Sequence, residues 1–246
     1  MLRSLAVLAP IAALTGCTAS TNSDSPIVVL ENTALPAGST GCTFSGVAGQ
    51  PALSHGEIST ASPSPYLLTP LLESQVTAVM GAELQRTIQI QGADVHLSVP
   101  TATLTSATGT STPVSIALTG ADGAFQSLFS GSLSPNDGTA NVAFDLIPTS
   151  AINSIYMQAK PGATDHLHAE VVANVTVYGQ LGGSRVDSVP FQYAVTVCND
   201  CVINIVGACP FTGTPRTGNP CNLFQDIPVD CCTETTGELT CPARTM

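Results

Sequence analysis

The sequence predicts an all-β protein, an immunoglobulin-like β-sandwich followed by a disulfide-stapled, loop-rich C-terminal tail. Three observations carry this expectation. Apolar and polar residues alternate with period two through several segments, and turn signals built on the 21 Gly and 18 Pro residues separate them. A coiled coil is excluded, because only 9% of residues are charged while Ser and Thr number 53. Seven of the nine cysteines fall at or after Cys198, where the composition turns to Gly, Pro and Thr.

In chain order, Met1 to Leu14 reads as an export signal: Arg3 is the basic start, and Leu5 to Leu14 is an apolar run. That run is interrupted by Pro10 and is shorter than the roughly 20 apolar residues that span a bilayer. Leu14-Thr15-Gly16-Cys17 then has the form of a lipobox, in which a thiol accepts a diacylglyceryl group and small residues admit the peptidase. Residues 1–16 are therefore expected to be removed, leaving a chain anchored by acylated Cys17. Residues 17–25, small and polar, form a tether. Thr18 in place of Asp after the acylated cysteine points to the outer membrane. The body is expected over 26–206 and a Cys-rich appendix over 207–246.

Within the body, Tyr66 to Ala78 is read as strand, with Pro70 at its edge; a short helix after Thr69-Pro70 is the alternative. Arg86 to Val99 turns Ile88, Ile90, Val95, Leu97 and Val99 inward, with Gly92 shifting the phase as a bulge would. Val114 to Thr119 is a further strand, and Thr139 to Leu146 another, after the turn Ser134-Pro135-Asn136-Asp137-Gly138. Thr149 to Met157, following Pro148, is long enough for one or two helical turns. Gly182-Gly183 is the strongest hairpin signal. Before it, Leu167, Ala169, Val171, Ala173, Val175 and Val177 share a face; after it, Val189, Phe191, Tyr193 and Val195 do so, with Pro190 at an edge or bulge.

With Cys17 set aside, eight cysteines remain: Cys42, Cys198, Cys201, Cys209, Cys221, Cys231, Cys232 and Cys241. In an exported protein they allow four disulfides in 105 connectivities. Any set that uses all eight must tie Cys42 to the C-terminal region, and adjacent Cys231 and Cys232 need different partners. Cys198-Asn199-Asp200-Cys201 has redox spacing, but it lies between two β-like runs rather than at a helix start, which favours a structural disulfide.

Several short motifs lie along the chain: the lipobox, Cys42 before Gly56-Glu57-Ile58, Tyr66 through Pro70 to Gln75, Arg86 to Val95, Val197 to Val202, Pro220-Cys221, and Gln225 to Cys232. On these the chain resembles a set of uncharacterised exported lipoproteins common in myxobacteria. The resemblance implies an address and no activity.

The chemistry-bearing candidates are few. His166, His168 and Glu170 are two residues apart, so a strand would align them on one face, a donor set that suits zinc. The competing reading is a solvated outer face opposite Leu167, Ala169 and Val171, and it is preferred. His55-Gly56-Glu57 and Asp94-Val95-His96 are also read as surface. No nucleophile elbow, Walker loop or EF-hand loop is present. The net charge of -11, with Lys160 as the single lysine, excludes a nucleic-acid partner. Losing Arg3 with the signal would leave 17 acidic groups against 5 basic ones. The expectation is a lipid-anchored envelope protein, without cofactor or catalysis, whose partners are the bilayer and an envelope protein or polysaccharide. The alternatives are metal binding at His166, His168 and Glu170, or redox chemistry at Cys198 and Cys201.

Overall fold

The computed structural model describes residues 25–35, 41–42, 44, 51–81 and 86–242. The expected signal segment and Cys17, and all but the last residue of the expected tether, lie outside the described residues. The described residues form fifteen strands and one α-helix, so the chain is all-β in the main.

The largest sheet has seven strands. At its centre lie β5 (Ile88–Thr105) and β10 (His166–Leu181), antiparallel over almost their whole length. β10 also pairs with β12 (Phe191–Cys198) and, beyond it, with β11 (Ser184–Asp187). β5 pairs with β7 (Ala124–Leu133) along its first half and with β6 (Ser111–Pro113) at its end. β2 (Gly56–Ser59) joins β12 in parallel.

The alternation seen in the sequence sets which face of this sheet is inside. Leu167, Ala169, Val171, Ala173, Val175 and Val177 of β10 are all fully buried. Each such Val or Leu contributes about 1.5–3 kcal/mol when taken out of water. Two smaller sheets and the helix contribute buried residues to the same apolar cluster. One sheet is β1 (Ile27–Asn32), β4 (Pro70–Ser74) and β8 (Thr139–Asn141); the other is β3 (Tyr66–Leu68) with β9 (Phe144–Ile147). Their Ile27, Leu68, Leu72, Phe144 and Leu146 join the β5 and β10 side chains in one apolar cluster.

The turn chemistry behaves as the sequence indicates. Gly182 and Gly183 both take positive φ, 59° and 85°, the geometry of a tight hairpin turn. Asn136 and Asp137 do the same at 59° and 57°, and a Cβ on Gly138 would lie 2.4 Å from the Ser134 carbonyl oxygen. The pairing of β5 with β10 shifts register between Tyr178 and Gly179, where Gly92 and Ile90 face adjacent residues of β10 and Gln91 is the extra residue, so β5 bulges next to Gly92. A second shift, opposite Glu170 and Val172, accommodates Pro100, which has no N–H for the ladder.

Five expectations need correction, the first being Tyr66 to Ala78, which is not one strand but two, β3 and β4, in different sheets and ending at Ser74. Val114 to Thr119 is not a strand: β6 stops at Pro113. Ile116 is still buried, but the Ala117 backbone is satisfied on both sides by the Gln158 side-chain amide, which replaces a strand neighbour. Thr139 to Leu146 is not one strand but two, in different sheets. Its partner segment is interrupted at the same level, where the Thr69 N–H and hydroxyl turn toward Asn32 and Thr33 and separate β3 from β4. Val189 does not share the buried face with Tyr193 and Val195; it is 40% exposed, because Pro190 parts β11 from β12. The helix, α1 (Thr149–Ala159), runs for 11 residues, longer than expected. It buries Ala151, Ile152, Ile155 and Ala159 on one side and stops at Lys160, which takes a left-handed conformation.

All eight remaining cysteines are paired: Cys42–Cys221, Cys198–Cys201, Cys209–Cys232 and Cys231–Cys241. The first joins the N-terminal segment to the tail across 179 residues. The other three staple the chain from the end of β12 onward. There β13 (Ile203–Ala208), β14 (Val229–Thr233) and β15 (Leu239–Thr240) form a small sheet whose interior is largely Val229, Cys231 and Cys232.

Removing the long-range bond with Cys42→Ala plus Cys221→Ala is expected to cost about 2–5 kcal/mol, because the unfolded chain regains its freedom. Denaturant midpoints of the double variant and the parent measure this. An unchanged midpoint would show that the tail is held by other contacts alone.

Candidate functional site

The outer face of the large sheet carries the candidate site, at the end where β7, β5, β10 and β11 lie side by side. Strand register places Gln126, Asp94 and Thr176 in one row across β7, β5 and β10, because Asp94 pairs with both of the others. His96 stands two residues further along β5, on the same face.

What organises these groups begins at the Gly92 bulge. Tyr178 lies across Gly92 so closely that a Cβ there would be 2.8 Å from the phenol oxygen. The Arg185 guanidinium lies over that ring, 4.3 Å from its centre. It donates to Asp94 Oδ2 through Nη2 and to Asp187 Oδ1 through Nε, each at 2.8 Å. Gln126 Nε2 donates to the other oxygen of Asp94, also at 2.8 Å. Partial burial alone would raise the Asp94 pKa, but the hydrogen bonds from Gln126 and Arg185 and the Arg185 charge lower it. The carboxylates of Asp187 and Asp94 in turn raise that of Arg185. Beside this network is an open depression of about 480 Å³, with Phe125, Gln126, Asp94, His96, Thr176 and Asp187 among its walls.

The other sequence candidates do not converge. His166, His168 and Glu170 occupy one face of β10, as their spacing requires, but His166 and Glu170 take separate partners. His166 Nδ1 meets the Asp200 carboxylate, while Glu170 lies 3.9 Å from Nδ1 of His55, whose Nε2 is bonded to Thr196. Among the described residues no group of three or more His, Cys, Asp or Glu side chains is arranged to hold a metal ion. Cys198 and Cys201 are bonded to each other at the end of β12, before a turn in which Val202 has positive φ.

No protein-family model matches this chain, and no curated protein matches it. The site must therefore be read from its own geometry.

Sequence reasoning placed Asp94 and His96 on the surface but did not find their neighbours. Arg185 lies 91 residues from Asp94, and Gln126 lies 32 away. The available signal was the Gly92 bulge together with an arginine just after the Gly182-Gly183 hairpin.

A second polar centre, also missed, docks the tail on the body. The Tyr66 hydroxyl is 3.2 Å from both Asp226 carboxylate oxygens and 3.3 Å from the Tyr193 hydroxyl. Asp226 further accepts from the Glu57 backbone N–H and from Gln225, whose amide also pairs with both backbone groups of Leu67. Gly56 is obligatory here, since a Cβ would fall 2.2 Å from the Tyr66 oxygen. Burial pushes the Asp226 carboxyl up to about 6 and the Tyr193 phenol up to about 12.

A carboxyl whose folded pKa of about 6 exceeds its ordinary 3.8 favours the folded state most when protonated. That contribution is full below the ordinary value and is lost as pH rises through about 6. Asp226→Asn, which carries no titrating group, is expected to flatten the stability profile across this interval. Thermal melts between those limits measure it, and an unaltered slope in the variant would assign the titration elsewhere.

Proposed function

We propose that this is a lipid-anchored protein of the bacterial cell envelope, held in the outer membrane by acylated Cys17, with a non-catalytic binding or structural role. Its body is an immunoglobulin-like β-sandwich that presents the outer face of the large sheet. The observation that carries the reading is the division of labour among the cysteines. Cys17 follows an export signal and small residues in lipobox order, while the other eight are all paired, as an oxidising compartment allows. Three acyl chains at about 0.8 kcal/mol per buried CH₂ are ample for stable anchoring without a spanning helix. No helix among the described residues is long and apolar enough to cross a membrane. The sandwich assignment is supported by the antiparallel core of the large sheet and the two smaller sheets whose buried residues join its apolar cluster. The resemblance to myxobacterial lipoproteins supports the same address.

A binding role is favoured at the Asp94–Arg185 depression. Asp94, Arg185, Asp187 and Gln126 are held by hydrogen bonds to one another, so these groups need little ordering when a ligand arrives.

Cys17→Ser is expected to move the protein from the membrane fraction to the soluble fraction; retention in membranes would overturn the anchor. The same soluble form is expected to co-sediment with membrane-free cell-wall preparations. Gln126→Ala plus Thr176→Ala should then reduce that co-sedimentation, and an undiminished yield would overturn the choice of site.

A further inference from the structure

We propose that the depression on the outer face of the large sheet binds a neutral polyhydroxylated ligand, a stretch of uncharged polysaccharide. This rests on the reading of the protein as an envelope-anchored binder and names what that site takes.

The groups around the depression oppose the other ligand classes. An anion meets two carboxylates and one guanidinium, and that guanidinium already donates to both Asp94 and Asp187. The net charge of -11 adds to the repulsion. A metal cation would have to displace Arg185 from the same two carboxylates and from the Tyr178 ring. An apolar ligand would strip water from Asp94, His96, Gln126 and Thr176 without replacing their hydrogen bonds.

A hydroxyl group escapes all three objections because it donates and accepts at once. The carboxylates of Asp94 and Asp187 retain lone pairs beyond those that Arg185 and Gln126 occupy. Gln126 retains its amide oxygen, Thr176 its hydroxyl and His96 its imidazole, so vicinal hydroxyls find acceptors and donors across one row of the sheet. A volume of about 480 Å³ lies in the range of small-molecule sites, about 300–1,000 Å³. Beyond it the face continues over Asn174 and Gln192, where Gln192 donates to Asn174 at 2.9 Å, and reaches a carboxylate of β10 again only at Glu170, so a polymer has a short polar surface to follow.

Affinity electrophoresis of the purified full-length protein through gels containing dextran, mannan, β-glucan or alginate tests the proposal. At least one of the three neutral polymers is expected to retard the protein, and the anionic alginate is not. Gln126→Ala plus Thr176→Ala is expected to weaken retardation about tenfold, the loss of a pair of neutral hydrogen bonds. Gln89→Ala, on the same face but outside the depression, should leave it unchanged, and circular dichroism of each variant checks the fold. Retardation by alginate alone, by no polymer, or equally for parent and double variant overturns the proposal. If no polymer retards the protein yet the double variant loses its cell-wall co-sedimentation, the ligand class is wrong and the binding site stands. If the double variant keeps both, the site falls as well.

Discussion

The structure depends on one constraint, the register of β10 between β5 and β12. Its apolar residues occupy every second position for eleven residues, from Leu167 to Val177, and all of them are fully buried. A slip of one residue would turn this whole set to solvent and bring His168, Glu170, Asn174 and Thr176 into the core. The same register decides the outer face, because it is what sets Asp94 beside Thr176. Core and depression are thus two sides of one alignment, and the bulges at Gly92 and Pro100 adjust that alignment locally without inverting it.

The tail obeys different physics. It has too little apolar material for a core of its own, and cystines supply much of its interior. Cys231 and Cys232, adjacent in sequence, are both buried and bond outward to Cys241 and Cys209. The Asp230 carboxylate adds a polar clasp, accepting from the Arg216 backbone and side chain and from Asn204, which holds its pKa well below the usual range. Two devices then fasten this unit to the body: the Cys42–Cys221 bond and the Gln225–Asp226 pair inserted beside Tyr66. One is covalent and insensitive to acid; the other carries a carboxyl that titrates near pH 6.

Legibility from sequence followed the range of each interaction. The buried face of β10, the Gly182-Gly183 hairpin, the Gly92 bulge and the Ser134 to Gly138 turn all announce themselves within a few residues. The errors came where a distant group replaced an expected neighbour. Val114 to Thr119 alternates like a strand, yet Gln158 of the helix takes the place of a ladder partner. Thr139 to Leu146 alternates too, but the Asn32–Thr69 contact breaks the segment it pairs with. His166, His168 and Glu170 share a face as predicted, while Asp200 and His55, both remote in sequence, divide them.

By itself, then, the sequence determined the β alternation, which residues face inward, the tight turns, and that a disulfide set using all eight cysteines must reach from Cys42 into the tail. Each follows from steric and hydropathic rules acting over a few residues, or from counting. Only the tertiary structure decided which cysteines pair, that Arg185 is clamped between Asp94 and Asp187 over Tyr178, and that Asp226 enters the body at Tyr66. Those outcomes join residues up to 179 positions apart. Such contacts exist only after several strands have taken their register, so no local pattern encodes them.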